Sequence, residues 1–373
     1  MSLNFQYSIV WSFSLTGLNL GGAKGGSDFN PKGKSDNEVM RFCQSFMTSL
    51  FKYIGPNRDI PAGDIGVGGR EIGFLFGQYR KMTCQFEGVI TGKGEQWGGS
   101  LLRPEATGYG AVYFLEEMLA MEEETIRSKK VAISGSGNVA TFAAEKLLEL
   151  GVGVVSLSDS SGFLHFTKGL TKQQLEEIID LKEKRRGRLS EFSSEGVVFY
   201  PDEQPWRRVQ CDVAMPSATQ NEITKEGADA LLSNGARFVV EGANMPLTLD
   251  AHETMSKNGA IVGPAKAANA GTYCLDIVTT CIFCFLKNSE SGLHAFLSGG
   301  VTVSGLEMSQ NGMKLSWTKE EVDEKLRAVM KNIYDQSQGA AKEYLGDGRH
   351  LTEGANIAGF LRVAKAMEEQ GCV

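Results

Sequence analysis

Apolar residues recur every three or four positions from Val39 to Leu50, with Val39, Phe42, Cys43, Phe46, Met47 and Leu50 on one side of a helix. Ser35 and Glu38 form a capping box ahead of this stripe and Gly55-Pro56 stops it, so the stripe is expected to be core. At Arg103-Pro104-Glu105 a proline at the first helical position is expected to open the next helix and mark a domain boundary. From Lys130 the pattern changes to short apolar runs, predicting strands at 131–135, 154–158, 197–200, 212–215, 237–241 and 261–263. Helical segments lie between most of them, including one capped by Thr171 and Gln174 and carrying Leu175, Ile178 and Ile179. Strands alternating with helices predict an α/β, doubly wound sheet. After Gly305 the pattern is wholly helical. Thr318 and Glu321 cap a stripe of Val322, Leu326, Val329, Met330 and Ile333, and a last segment carries Ile357, Phe360, Leu361, Ala364 and Met367. These helices are expected to lean back on the first domain. The division is therefore 1–102, 103–304 and 305–373.

Composition narrows the partners. The 373 residues, 42% hydrophobic and 22% charged, suffice for two cores. A net charge of −7 without a basic, aromatic-interleaved stripe argues against nucleic acid. No apolar run reaches a membrane span, and Met1-Ser2-Leu3-Asn4-Phe5 lacks the basic start of a targeting peptide. The expectation is a cytoplasmic protein, with any organellar address lying upstream. Of seven cysteines, Cys43, Cys84, Cys211 and Cys372 are scattered as free thiols usually are.

The chemistry is carried by glycine-rich turns. Gly135-Ser136-Gly137-Asn138-Val139-Ala140 follows an apolar strand and opens a helix, the Gly-x-Gly-x-x-Ala arrangement of a Rossmann-type dinucleotide site, and Asp159 ends the next strand. Gly21-Gly22-Ala23-Lys24-Gly25-Gly26 sets one lysine among glycines, where confinement lowers an ammonium pKa; taken alone the run reads rather as a flexible surface loop with a solvated lysine. Asp64 sits among glycines before another helix, as a functional carboxylate or as a cap. Strand ends at 216–221, 241–246 and 266–271 offer Thr219, Asn244 and Asn269 to a ribose or nicotinamide amide, although turn chemistry selects the same residues.

Four long motifs, Gly-Gly-Ala-Lys-Gly-Gly-Ser-Asp-Phe at 21–29, Pro-Ala-Gly-Asp-Ile-Gly-Val-Gly-Gly-Arg-Glu at 61–71, Arg-Pro-Glu-Ala-Thr-Gly-Tyr-Gly at 103–110 and Glu-Gly-Ala-Asn-Met-Pro at 241–246, closely resemble the hexameric glutamate dehydrogenases. The resemblance runs from about residue 14 to the end and is nearest the small-subunit, NADP-preferring type. It implies that Lys24 polarises the 2-oxo group and that Asp64 shuttles protons during reversible conversion of 2-oxoglutarate and ammonia to glutamate. Arg103, Thr107 and Ser304 fall on substrate positions, Ser304 at the distal carboxylate. Gly135, Ser136, Gly137, Asn138, Val139, Asp159, Ser160, Ala218, Thr219, Asn244 and Asn269 fall on cofactor positions. A carboxylate at Asp159 favours the unphosphorylated ribose of NAD, whereas Ser160 with a cation from Lys182, Arg185 or Arg186 suits a 2′-phosphate; the resemblance favours NADP. The assembly implied is a homohexamer, and no metal site is expected.

Two departures accompany the resemblance. The family begins more than a hundred residues earlier, so a truncated substrate domain is expected, with one upstream substrate lysine absent and a second replaced by Ser12; residues 1–13 show no likeness to the family. Thr272 to Gly299 reads as an insertion, a translated intervening sequence or an added loop; its Cys281-x-x-Cys284 pair with Cys274 lacks the second ligand pair of a metal site. The rival readings are a dehydrogenase of an apolar amino acid, against which Ser304 argues, and a non-catalytic homologue that binds nucleotide or joins intact subunits.

Overall fold

The computed structural model describes residues 14–18, 27–31, 33–63, 67–185, 187–268 and 301–371. Lys24, Asp64, Asn269, Arg186, Cys372 and the 272–299 segment with its three cysteines lie outside these residues.

Helix α1 (Asp36–Leu50) starts as its capping box requires: Glu38 accepts the Ser35 N–H at 2.8 Å and the Ser35 hydroxyl accepts the Glu38 N–H at 3.3 Å. Only part of its apolar stripe is core. Val39, Cys43 and Met47 are buried, while Phe46 is 38% exposed and Phe42 stacks on Phe29 at 4.0 Å. Met47 packs with Ile72, Phe76 and Tyr79 of α2 (Gly69–Thr83) and with Ile54, Val89 and Ile90 in a small separate core. Among the described residues this part contains isolated bridges, Ile54 to Asp59 and Ala62 to Thr91, but no longer strand.

Helix α3 (Ala106–Met121) is the pivot of the larger unit, apolar and buried nearly all round from Ala106 to Leu115. It begins at Ala106, so Pro104 belongs to the preceding turns and does not open the helix. Behind it lies a seven-stranded sheet among the described residues, ordered β4-β3-β2-β1-β5-β6-β7. The strands are β1 (Lys130–Ile133), β2 (Gly153–Asp159), β3 (Gly162–Phe166), β4 (Val197–Pro201), β5 (Val213–Met215), β6 (Phe238–Val240) and β7 (Ile261–Gly263). From β2 through β1 to β7 neighbouring strands are parallel, whereas β3 runs antiparallel to both β2 and β4. Strand β3 is absent from the sequence expectation because it follows β2 through a tight turn. There Gly162 pairs with Asp159 at φ +140, so close to Tyr200 that a Cβ would stand 2.1 Å from its carbonyl oxygen.

Two cores sandwich the sheet. Helices α3, α4 (Asn138–Glu149) and α5 (Lys172–Ile179) bury one face, and α6 (Lys225–Ser233) and α7 (Leu249–Lys257) with Trp206 and Val209 bury the other. The chain runs outward from β1 through β2 and β3 to β4, then crosses back to β5 on the other side of β1 and continues to β7, which makes the carboxyl ends of β1 and β5 the topological switch point.

The C-terminal helices divide their contacts between the two parts. Helix α9 (Lys319–Leu345) packs Val322, Leu326, Met330 and Ile333 into the core shared with α3, and its Tyr334 meets Phe114 edge-on at 5.4 Å. Contact with residues 1–102 is made by α8 (Val301–Met313), whose Asn311 donates to the Gly98 carbonyl at 2.8 Å, and by Gln336 and Arg362 of the two later helices, which donate to the Leu15 carbonyl at 3.3 Å and the Ser14 carbonyl at 2.8 Å. Helix α10 (Leu351–Gln370) does not bury its large apolar stripe: Phe360 and Met367 are more than half exposed. Its buried face is Leu351, Gly354, Ala355 and Gly359, and α10 lies so close to α9 that a Cβ on Gly354 would stand 2.0 Å from the Ser337 carbonyl oxygen.

Candidate active site

The turn after β1 is built for a ligand that approaches backbone. Gly135 adopts φ +87, and a Cβ there would lie 2.8 Å from the Ser217 carbonyl oxygen. The Ser158 hydroxyl accepts the Gly135 N–H at 2.8 Å and the Ser134 hydroxyl accepts the Ser217 N–H at 3.0 Å, which ties the β1, β2 and β5 ends together. Gly137 is the N-cap of α4 and brings no capping side chain, and nothing lies within 4 Å of where its Cβ would be. The first N–H groups of α4 thus keep open space in front of them beside the exposed Gly137 and Asn138, an arrangement suited to a pyrophosphate. Ser136 and Val139 are buried, and Val139 packs on Gly242, where a Cβ would also meet the Ser217 hydroxyl oxygen at 2.4 Å. Ala218, Thr219 and Asn244 are half-buried on the loops after β5 and β6 that border this turn.

Two buried carboxyl groups underlie those loops. Glu222 accepts the Ala218 N–H at 3.2 Å, and its Oε2, sealed from solvent, has no hydrogen-bond partner among the described residues. Burial pushes it up to about 7 against the Ser134, Ala218 and Thr219 hydrogen bonds that favour the anion. Glu241 accepts the Ala265 N–H at 2.7 Å and is also pushed up to about 7 by burial, although Lys266 stands beside it.

Asp159 is placed differently from the sequence expectation of a ribose ligand. Burial raises its pKa, yet the net shift is downward. Oδ1 accepts the Ser161 N–H at 2.8 Å and hydroxyl at 2.5 Å, and Oδ2 accepts the Leu189 N–H at 2.9 Å and the Lys182 ammonium at 2.9 Å. These four bonds occupy the carboxylate and hold the Lys182 ammonium inward. The exposed group at this strand end is Ser160, whose hydroxyl accepts from Arg188 at 2.5 Å. Arg185 is engaged with Asp180. A hydroxyl and a guanidinium at the mouth suit a phosphate. Arg188 was missed in the sequence because it lies after α5, outside any motif.

The second cluster gathers around α8. Ser304, fully buried, accepts from the Arg103 Nε–H at 3.0 Å and shares a 3.1 Å bond with the buried Thr91 hydroxyl. Thr107, in the first turn of α3, is buried with its hydroxyl unpartnered among the described residues. Its neighbour Gly108 lies against the first turns of α4, where a Cβ would stand 2.4 Å from the Ala143 nitrogen. The start of α3 therefore reaches the Ser304 cluster through Arg103 and the dinucleotide turn through Gly108. Beside it is a fully buried ion pair that the sequence did not reveal, Lys93 to Glu307 at 2.6 Å. Burial holds the Lys93 ammonium below its usual range, Arg103 adds to this, and Glu307 opposes it. Among the described residues no cluster of histidine, cysteine and carboxylate side chains is arranged to hold a metal ion.

The family model of the Glutamate/Leucine/Phenylalanine/Valine dehydrogenases matches residues 98–278 and 295–371, and that of their dimerisation domain matches residues 3–81. The chain belongs to this family. As a Glu/Leu/Phe/Val dehydrogenase it is 51% identical over 364 residues to the NADP-specific glutamate dehydrogenase of Giardia intestinalis, with 96% of this chain and 75% of that protein covered. It is 50% identical to the NADP-specific glutamate dehydrogenase of Chlorella sorokiniana, covering 98% of this chain and 64% of the relative. The crystal structure of Plasmodium falciparum glutamate dehydrogenase superimposes with a TM-score of 0.89 at 48% identity, covering 98% of this chain and 73% of that one. One sequence expectation is corrected: the dimerisation-domain match begins at residue 3, so the likeness reaches into residues 1–13. The stretch between the two matched segments, 279–294, falls inside the insertion read near 272–299.

Proposed function

We propose that this family member catalyses the reversible reductive amination of 2-oxoglutarate with ammonia to L-glutamate, with NADPH as the reductant. The observation that carries the reading is the approach to α3, which joins the half-buried Arg103 and the buried Thr91 and Ser304 to the open glycine turn of a dinucleotide fold. Relatives that are NADP-specific glutamate dehydrogenases at about half identity support the substrate and the cofactor.

The residues suit the reaction in the following way. The N-terminal N–H groups of α4, with Gly135, Ser136, Gly137, Asn138 and Val139, hold the pyrophosphate. Ser160 and Arg188 take the 2′-phosphate, which explains NADP use despite the carboxylate at Asp159. Ala218, Thr219 and Asn244, with Asn269 by the family resemblance, would bind the nicotinamide half. When bound, the reduced nicotinamide supplies the hydride. Arg103 and the Ser304 hydroxyl fix the distal carboxylate, and Thr107 presents a further donor. Lys24 polarises the 2-oxo oxygen, and Asp64 moves protons to and from the ammonia nitrogen. Residues 1–102 and 103–304 form the substrate and dinucleotide domains with 305–373 joining them, the assembly is a homohexamer, and the protein works in the cytoplasm. No helix among the described residues is long and apolar enough to cross a membrane.

The test is NADPH oxidation by the purified chain with 2-oxoglutarate and ammonium, with NADH and apolar 2-oxo acids in parallel. Turnover with 2-oxoglutarate and preference for NADPH are expected. A folded, NADPH-binding chain without turnover overturns the reading in favour of a non-catalytic homologue, and preference for an apolar 2-oxo acid overturns the substrate.

A further inference from the structure

Ser304 and Glu307 stand three residues apart on α8, on one face of the helix. The Glu307 carboxylate gathers the loop in front of it: Oε2 accepts the Gly92 N–H at 2.9 Å, and Oε1 accepts the Lys93 N–H at 3.4 Å and the Lys93 ammonium at 2.6 Å. That ammonium also donates to the Ile90 carbonyl. Residues 90–93 are thereby wrapped around one fully buried side chain, with Thr91 in the middle of the wrap and 3.1 Å from Ser304. Gly92 permits the wrap: it adopts φ +87, and a Cβ would meet the Arg103 guanidinium at 3.4 Å.

The polar arithmetic of this cluster points to a ligand. Thr91 and Ser304 carry two hydroxyl protons, of which one is used between them, while Arg103 fills a lone pair of Ser304. Among the described residues one proton is left without an acceptor, for a group outside the cluster. Lys93 and Glu307 cancel in charge, and Arg103 sets a guanidinium against Ser304. A hydroxyl proton beside a guanidinium suits an anionic acceptor.

We propose that Lys93 and Glu307 are positioning residues of the substrate pocket, setting the separation of the Thr91 and Ser304 hydroxyls and hence the preference for a 2-oxo acid with a distal carboxylate. This rests on the proposed role of Ser304. The pair itself adds no net charge and is sealed from solvent, so it acts on substrate through the two hydroxyls. Its removal as a pair is expected to loosen carboxylate recognition and to leave the dinucleotide turn untouched.

The test compares the double variant Lys93→Met with Glu307→Gln, the single variants Glu307→Gln and Ser304→Ala, and Lys93→Met/Glu307→Gln combined with Ser304→Ala. Glu307→Gln alone keeps an acceptor for the loop N–H groups should the double variant fail to fold. For each variant KM and kcat for 2-oxoglutarate are measured, with glutarate affinity by calorimetry and NADPH affinity by fluorescence. The expected result is a rise of about tenfold in KM and in the glutarate Kd, a smaller fall in kcat, and NADPH affinity within about twofold of wild type. Because the pair works through Ser304, its removal adds little to the loss already caused by Ser304→Ala. Restoring both charges as Lys93→Arg with Glu307→Asp is expected to recover part of the KM. Unchanged KM and glutarate affinity in the folded pair variant, or a loss that adds fully to that of Ser304→Ala, overturns the proposal. If Ser304→Ala itself leaves KM and glutarate affinity unchanged, the carboxylate role of Ser304 falls, and the proposal falls with it.

Discussion

The two ends of the candidate site are made in different ways. At the dinucleotide end the working groups are backbone: Gly135 at φ +87, Gly137 as a cap without a side chain, and the free N–H groups of α4, all within a few consecutive residues. At the Ser304 end they are side chains brought from far apart, Arg103 to Ser304 across 201 positions and Gly92 to Glu307 across 215. The first end is set by local conformation and tolerates little change of backbone. The second is set by the packing of α8 on the 90–103 stretch, and responds to loss of single hydrogen bonds.

The sharpest break of the comparison is Gly135→Val. A side chain at positive φ, facing the Ser217 carbonyl oxygen at 2.8 Å, costs about 2–3 kcal/mol of strain and is expected to reduce NADPH affinity roughly a hundredfold, read by fluorescence titration. Ser304→Ala, at the other end, is expected to raise KM for 2-oxoglutarate about tenfold while NADPH affinity stays put, since it removes one charge-assisted hydrogen bond from Arg103 and one from Thr91. Loss of NADPH affinity in Ser304→Ala would mean the two ends are not separate.

Arg188→Ala sharpens the dinucleotide end itself. Removing an exposed guanidinium beside Ser160 is expected to weaken NADPH about fivefold to tenfold and to leave NADH nearly unchanged, because only the phosphorylated ribose gains from it. Equal losses for both cofactors would place the 2′-phosphate elsewhere.

The smallest effect is on pH dependence. Glu222 has a folded pKa of about 7 against an ordinary 4.5, so between these values the native state holds the extra proton. Its contribution to stability is fully present below about pH 4.5 and is lost as pH rises through about 7, a change of at most about 3 kcal/mol. Wild type is thus expected to lose melting temperature relative to Glu222→Gln between pH 5 and 8, followed by calorimetry in matched buffers. Parallel pH profiles for the two proteins would show that Glu222 is ionised throughout.

Family membership, the α/β sheet, the capping boxes at Ser35, Thr171 and Thr318 and the glycine turn at 134–140 were all legible in the chain, because each depends on residues near one another whose backbone preferences act locally. Strand β3 was not, since its five residues draw their conformation from β2 and β4 on either side. Nor was the buried face of α10. Apolar periodicity selects Phe360 and Met367, whereas the buried face is Leu351, Gly354, Ala355 and Gly359, and the close approach of α9 at Ser337 demands the glycine at 354. Asp159 shows the same limit at the site: its place at a strand end is written in the sequence, but whether its oxygens face a ribose or are spent on Ser161, Leu189 and Lys182 depends on a segment some thirty residues on. The pairing of Lys93 with Glu307 is the extreme case. Lys93 lies in a glycine-rich loop at 91–100 and Glu307 in a helix, with nothing in either to pair them, and only the docking of α8 on the loop, which removes both charges from water and leaves each as the other's partner, decides that they meet.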